Sequence, residues 1–498
     1  MRLFTRRSAT VGRRPAPAWG LCWAVVGVVA LAGCSSGAPS PGSSTGANPS
    51  TPTSGPTSAP GSTPGSGTTA ATTTSIASMA IPASPAGEQL DWFLTATATS
   101  STIDPKVVEA HFAPSFLAQA PPEKLNGILK ALVPKGGFRT TAVEPVSPTQ
   151  IVALVATNQG PLRLLLATGP DGLIEGLVFK PPAAPAAAPS SWSELDQRLK
   201  KVAPVASMLT AKISSNGQCQ PVHALDSASA RPLGSLFKLY VLGAVADQVA
   251  AGALKWDDPL RITPDLKSLP SGELQNRPDN SSVTVREAAL KMISISDNTA
   301  ADLLAHQVGR GKVEAAQAAL GSLHADANTP FLRTRELFVL KGSSYPTLRD
   351  AYLKMPAPAR EPYLDSAIGR VPLSKVTPWS TPRDLTTLEW FASPDDICRA
   401  YAGLEQRAKT PALKPIATVL SANDGGLGLD SASWPSVWFK GGSEPGVLTL
   451  GWRAQAKDGT SYVTVLMTSN PKAPIDESTA APELLALAKG AFTMARGS

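Results

Sequence analysis

Apolar and polar positions alternate with three different rhythms along this chain. From about Ser84 to Leu132 apolar residues recur at helical spacing. "PAGEQLDWFLTATATS" sets Leu90, Phe93 and Leu94 on one side, and a longer helical region is expected over Pro105–Leu132. The period then shortens. "FRTTAVEPV", "QIVALVATN", "PLRLLLATG" and "GLIEGLVFK" are short runs rich in apolar and β-branched residues, separated by turn formers, and they predict an antiparallel meander. Beyond the break "KPPAAPAAAPSS", a helix in "SWSELDQRLKKV" precedes strand-like "ASMLTAKIS" and the segment through "CQPVHAL". An apolar helix then opens within "RPLGSLFKLYVLGAV", from Arg231 to Val245. Two further helical patterns, Val285–Ile293 and Thr299–Val308, meet at "SISDN". Near the C-terminus "SVWFKGGSEPGVLTLGWRAQAKDGTSYVTVLMTSNP" predicts three antiparallel strands with turns at "GGSEPG" and "KDG".

These patterns divide the folded part into a small α+β unit over 84–182, a linker at 183–190 and a larger unit over 191–498. At 498 residues, two or three domains are expected, and 43% hydrophobic residues suffice for sizeable cores. The segment 34–83 is almost entirely Ser, Thr, Pro, Gly and Ala after Cys34. It cannot bury a core and is expected to be a disordered tether. Ahead of it, Arg2, Arg6, Arg7, Arg13 and Arg14 precede the apolar run "LCWAVVGVVALAG". A basic region, a short apolar stretch and small residues at its end describe a secretory signal over 1–33, too short for a comfortable membrane span.

Charge adds little. The formal net charge is +7, and much of the excess sits in that N-terminal signal. No Lys- or Arg-rich run follows, so a nucleic-acid partner is not expected. The mature body keeps Cys219 and Cys398, which either pair in an oxidising compartment or stay as two buried thiols. No metal-ligand cluster and no phosphate-cradling glycine loop stands out, and no cofactor is expected.

Ser235 and Lys238 are three apart where the apolar helix begins, so they share a face. Serine needs a base to become a nucleophile, and a lysine buried beside a second cation loses its proton more readily. Ser469-Asn470-Pro471-Lys472 has the same spacing, but a proline sits inside it and a strand precedes it. Ser296-Asp297-Asn298 falls at a helix junction, where such residues either cap a helix or aim into a cleft. Lys440-Gly441-Gly442 ends the first strand of the C-terminal group, whereas a second "KGG" at Lys135 lies in the other unit. The chain has four histidines, His111, His223, His306 and His324, but no G-x-S-x-G. In the first unit, Asp91, Glu109 and His111 are the polar residues that a pocket would use; the other expectation is a spacer or docking surface.

S-x-x-K at a helix start, then S-D-N between helices, then K-x-G on a strand of a terminal hairpin resembles the ordered motif set of the class A β-lactamases and penicillin-binding proteins. The resemblance covers roughly Ser191–Ser498. It implies helices around a five-stranded antiparallel sheet, in three layers. It also implies that Ser235 is acylated, that Lys238 is its base, and that Ser296 and Asn298 relay protons and bind the substrate amide. Lys440 would supply positive charge for a substrate carboxylate, and the backbone N–H groups of Ser235 and Ser443, beside Gly442, would form the oxyanion hole. Two departures stand out. Gly441 replaces the hydroxyl residue usual in the third motif, and the "E-P-x-L-N" loop of class A enzymes is missing, leaving Glu336 as the nearest candidate to activate water. An ion pair with Arg333 or Arg335 is the other expectation for Glu336.

By element order, the first unit resembles the cone-shaped steroid-isomerase-like domains. The ending "LAGC" resembles the lipobox of bacterial lipoproteins, which implies a lipid on Cys34 and attachment to the extracytoplasmic face of the cell membrane. The expected activity is that of an exported serine hydrolase acting on β-lactams, esters or peptidoglycan-like amides, with slow deacylation. The competing expectation is a non-catalytic envelope lipoprotein that binds peptidoglycan or a protein partner.

Overall fold

The computed structural model describes residues 81–147, 149–169, 171–180, 186–269 and 271–497. The signal segment, Cys34 and most of the Ser/Thr/Pro/Gly tether lie outside the described residues. The chain divides into two compact units after Pro182.

In the first unit, helices Pro85–Ala96, Pro105–His111, Pro114–Leu117 and Pro122–Leu132 precede a four-stranded sheet. The long helix expected over Pro105–Leu132 is therefore three short ones. Pro114 and Pro122 each restart the chain, because a proline cannot donate to the preceding turn and its fixed φ suits a first helical position. Ser84 and Asp104 cap two of these helices by accepting from the amides of Gly87 and Lys106. Strands Arg139–Ser147, Gln150–Thr157, Gly160–Thr168 and Ile174–Lys180 form the expected meander in sequential antiparallel order. Leu90, Phe93, Phe112 and Leu129 from the helices pack on Ile151, Val155, Leu164 and Leu166.

The larger unit is built on a five-stranded antiparallel sheet. Its order is Ser436–Glu444, Val447–Gln455, Ser461–Ser469, Val205–Ile213, Cys219–Leu225. Alternation along the strands feeds two cores. Met208, Leu448, Trp452 and Leu466 face helices Trp192–Val202 and Glu477–Arg496, through Leu195, Leu199, Leu484 and Phe492. Leu209, Ala211, Val463 and Val465 face the other way, toward helix Pro394–Ala408 and into a core shared with helices Lys238–Ala250 and Asn298–Val308. Helices on both faces of the sheet give the expected three layers. Helix Lys238–Ala250 is buried from Lys238 to Ala246, which explains its near-continuous apolar sequence. Cys219, on the outer strand, is disulfide-bonded to Cys398 in helix Pro394–Ala408, across 179 residues of sequence. Among the described residues no helix is long and apolar enough to cross a membrane.

Candidate active site

Ser235 lies in a single 3₁₀ turn, Gly234–Phe237, and the α-helix proper begins only at Lys238. Two short strands, Arg231–Pro232 and Phe391–Ala392, pair just ahead of this turn and fix its entry. Lys238 has no exposed surface. Its Nζ lies 3.2 Å from Ser235 Oγ, 3.1 Å from Ser296 Oγ, 2.6 Å from the Ser296 carbonyl and 2.6 Å from Asn298 Oδ1. An ammonium has three hydrogens for these four oxygens. The longest contact, to Ser235, can therefore run the other way, with the serine O–H donating to a neutral amine. Burial brings Lys238 down to about 7, against the opposing pull of Asp297 and Asp302. That is the range of a working base.

The junction between helices Val285–Ser294 and Asn298–Val308 holds the next residues. Ser296 sits at φ +56°, a conformation rare for a residue with a Cβ, and it projects between two lysines. Lys440 Nζ donates to Ser296 Oγ at 3.0 Å and to the Gly441 carbonyl at 2.6 Å. Ser235, Lys238, Ser296 and Lys440 thus form one continuous hydrogen-bonded chain. Lys440 is also buried, and burial together with the charge of Lys238 holds it well below the usual lysine range. Asn298 accepts from Lys238 and donates through Nδ2 to the Leu269 carbonyl at 3.0 Å.

Asp297, the middle residue of this triplet, is structural. Its Oδ1 caps the second helix through the Ala300 amide, and its Oδ2 accepts from the amides of Glu273 and Leu274. A Cβ on Gly272 would stand 2.3 Å from Asp297 Cγ, so only glycine lets that loop lie against the junction. Ser271 and Thr449 carry no motif, yet both shape the site. Ser271 Oγ donates to the Ser296 carbonyl at 2.7 Å, and Thr449 Oγ1 donates to the Leu233 carbonyl at 2.6 Å and the Gly442 carbonyl at 3.2 Å.

Thr449 thereby ties strand Ser436–Glu444 to the nucleophile turn. The two backbones touch: a Cβ on Gly442 would lie 2.2 Å from the Leu233 carbonyl oxygen and 2.5 Å from the Ser235 amide nitrogen. A Cβ on Gly234 would lie 2.9 Å from the Ser443 amide nitrogen. The amides of Ser235 and Ser443 are thus brought together by two glycines. Gly441 faces away from them; a side chain there would meet Phe439 and Leu450 at 2.9 and 3.1 Å. Ser443 is exposed.

Glu336 is no free base. Fully buried, it pairs with Arg310 at 2.9 Å and Arg333 at 2.7 Å, and its Oε2 accepts from the Arg333 amide at 2.7 Å. Burial raises its pKa, but the bonds and charges of the two arginines outweigh this and hold it below the ordinary value. Arg335 instead donates to the carbonyls of Pro264, Lys267 and Val371.

The histidines lie elsewhere. His223 bonds Asp196, His324 bonds Asp396, and His306 is exposed. In the first unit, Asp91 and Glu109 are exposed, while His111 stacks on Trp92 at 3.6 Å and bonds Gln89. Among the described residues no three His, Cys, Asp or Glu side chains are grouped to hold a metal.

Residues 195–388 match the β-lactamase enzyme family. That span contains Ser235, Lys238, Ser296 and Asn298. The larger unit is therefore β-lactamase-like in fold. Residues 81–174 match a second model, described as the N-terminal part of the ORF 12 gene product. Solved structures similar to this chain include a mutant of PBP-A in acyl-enzyme complex with penicillin G, at 17% identity and TM-score 0.41, over 61% of this chain and 99% of that one. A β-lactamase from Sphaerobacter thermophilus is similar at 20% identity and TM-score 0.43, over 62% and 98%. One from Chitinophaga pinensis is similar at 18% identity and TM-score 0.41, over 61% and 100%. No curated protein matches the chain.

Proposed function

We propose that the chain is an exported serine hydrolase, held by a lipid on Cys34 to the extracytoplasmic face of a bacterial cell membrane. It acts through an acyl-enzyme at Ser235 on β-lactams, esters or peptidoglycan-like amides. The observation that carries this reading is the 3.2 Å contact between Ser235 Oγ and the fully buried amine of Lys238, whose pKa is lowered to about 7.

Neutral Lys238 takes the serine proton as Oγ attacks the carbonyl carbon. The amides of Ser235 and Ser443 receive the negative oxygen that develops, where preorganised donors act most strongly. Ser296, hydrogen-bonded to both lysines, passes a proton to the leaving group, and Asn298 holds Lys238 on its side of the cleft. With Glu336 locked between two arginines, release of the acyl group is the slower half of the reaction. The first unit serves as a spacer or a docking surface.

The deciding experiment is intact-mass spectrometry of the soluble part, from about Ser84, incubated with benzylpenicillin and with p-nitrophenyl acetate beside a Ser235→Ala control. An adduct that needs Ser235 supports the reading. No adduct with either probe would overturn it.

A further inference from the structure

Three ionisable side chains are enclosed beside the nucleophile turn, and the steps above use none of them. Lys341, near the end of helix Thr334–Gly342, donates to Glu389 Oε1 at 3.2 Å and to Glu444 Oε1 at 2.7 Å. The side chains of Lys341 and Glu389 are closed off from solvent, whereas Glu444 keeps 10% of its surface exposed.

Their placement is specific. Glu444 is two residues past Gly442, so it projects from the face of the strand that also carries Lys440. Gly442 is the residue packed against the Ser235 amide. Glu389, which shares Lys341 and a hydrogen bond with Glu444, adjoins the turn through the chain beside it: its Oε2 accepts from the Trp390 amide at 3.0 Å. The Trp390 carbonyl accepts from the Leu233 amide at 2.8 Å, and its ring stacks on Phe237 at 3.9 Å. The helix bearing Lys341 begins at Thr334, whose hydroxyl donates to Ser268 Oγ at 2.6 Å and lies 3.3 Å from the Asn298 carbonyl. The cluster therefore joins the strand that carries Ser443 to segments packed against Ser235 and Asn298.

One ammonium balances one carboxylate, so the second is buried beside a like charge. Burial and Glu389 push Glu444 well above the ordinary carboxylate range, against the pull of Lys341. The pair thus holds a proton that it can give up. Arg383, which donates to the Lys341 carbonyl, brings a further positive charge to the cluster.

We propose that Glu444 activates the water that releases the acyl group from Ser235. The inference rests on the acyl-enzyme reading above. Glu444, as the carboxylate, takes a proton from water as the water oxygen bonds to the acyl carbon. The bond from that carbon to Ser235 Oγ then breaks, its electron pair leaves with Oγ, and the proton is handed to Oγ. Free serine, the carboxylate and an acid product result. Because Glu444 holds its proton tightly, deacylation is slow at neutral pH and speeds up as pH rises.

The test follows adduct lifetime by intact mass, with benzylpenicillin and p-nitrophenyl acetate as probes, from pH 6 to 9. In the native chain the adduct should clear faster at higher pH. Glu444→Gln should lengthen its lifetime by about 10²-fold or more. Glu389→Gln removes the neighbouring charge and should shift the clearance profile to lower pH, a change that a purely structural role would not produce. Thermal melts of both variants identify misfolding; if Glu444→Gln does not fold, the Glu389→Gln profile decides. An adduct that forms but never clears in the native chain overturns the role of Glu444 and leaves Ser235 as nucleophile. Equal clearance by Glu444→Gln, or an unshifted Glu389→Gln profile, overturns it too. No adduct in the native chain would remove the acyl-enzyme reading itself and this inference with it.

Discussion

Lys238 and Lys440 meet on a single hydroxyl: both donate to Ser296 Oγ, at 3.1 and 3.0 Å. Two amines on one oxygen in a buried site cannot comfortably both be charged. Of the two, Lys238 touches Ser235 and comes down to about 7.

Acylation should therefore depend on neutral Lys238. Its rate is expected to climb as pH rises through about 7 and then level off, because the amine must lose its proton before it can accept one. Lys238→Met should slow adduct formation by about 10²–10⁴-fold and abolish that profile. Stopped-flow acylation rates across pH check both statements.

The contact at Gly442 leaves no room for a methyl group. Gly442→Ala should force the edge strand off the nucleophile turn, costing about 1–3 kcal/mol in stability and separating the amides of Ser235 and Ser443. Denaturant melts with acylation rates test it. A variant that acylates at the native rate would contradict the assignment of those two amides.

Glu336→Gln should act on folding. Removing the buried carboxylate charge that pairs with both arginines leaves Arg310 and Arg333 to the more exposed Asp365 and Glu361 and should cost about 3–5 kcal/mol. Adduct lifetime in the folded fraction should stay at the native value. Because its folded pKa lies below the usual one, the stability that Glu336 contributes is present at neutral pH and is lost as pH falls into the acid range.

The Cys219–Cys398 bond should leave no thiol free to react in the oxidised soluble part, as iodoacetamide labelling and mass would show. Cys398→Ala should lower stability by about 2–5 kcal/mol, since it frees a long loop in the unfolded chain. The measurement is denaturant unfolding of the variant beside the native protein.

Much of this site was legible because its residues announce themselves locally. Ser235 and Lys238 sit one helical step apart, and Ser296 and Asn298 flank a helix start, so short-range pattern places them without the fold. The strands of both sheets were equally plain from their alternation. What stayed hidden is assembled from distant parts. Lys341, Glu389 and Glu444 span about a hundred positions, and none of them stands in a recognisable spacing. Thr449 and Ser271 act through backbone carbonyls that no pattern marks. The triplet at 296–298 misled in one respect: its central aspartate, which looks chemical, serves as a peg for the neighbouring loop. The breaks at Pro114 and Pro122 were visible in the sequence, but helical periodicity over Pro105–Leu132 concealed them.

The buried amines make folding of this protein a proton-releasing event. Between about pH 7 and 10.5 the unfolded chain holds a proton on Lys238 that the native chain has shed, so stability climbs with pH across that window. Lys440 acts in the same direction. Glu444 does the reverse on the acid side: the native chain keeps a proton that the unfolded chain gives up above about 4.5, and stability declines as pH rises from there. The groups around Ser235 therefore tilt the stability curve in opposite senses, the carboxyl from the acid side and the amines toward the alkaline side, and Lys238 begins its part of the climb in the range where it becomes able to accept a proton.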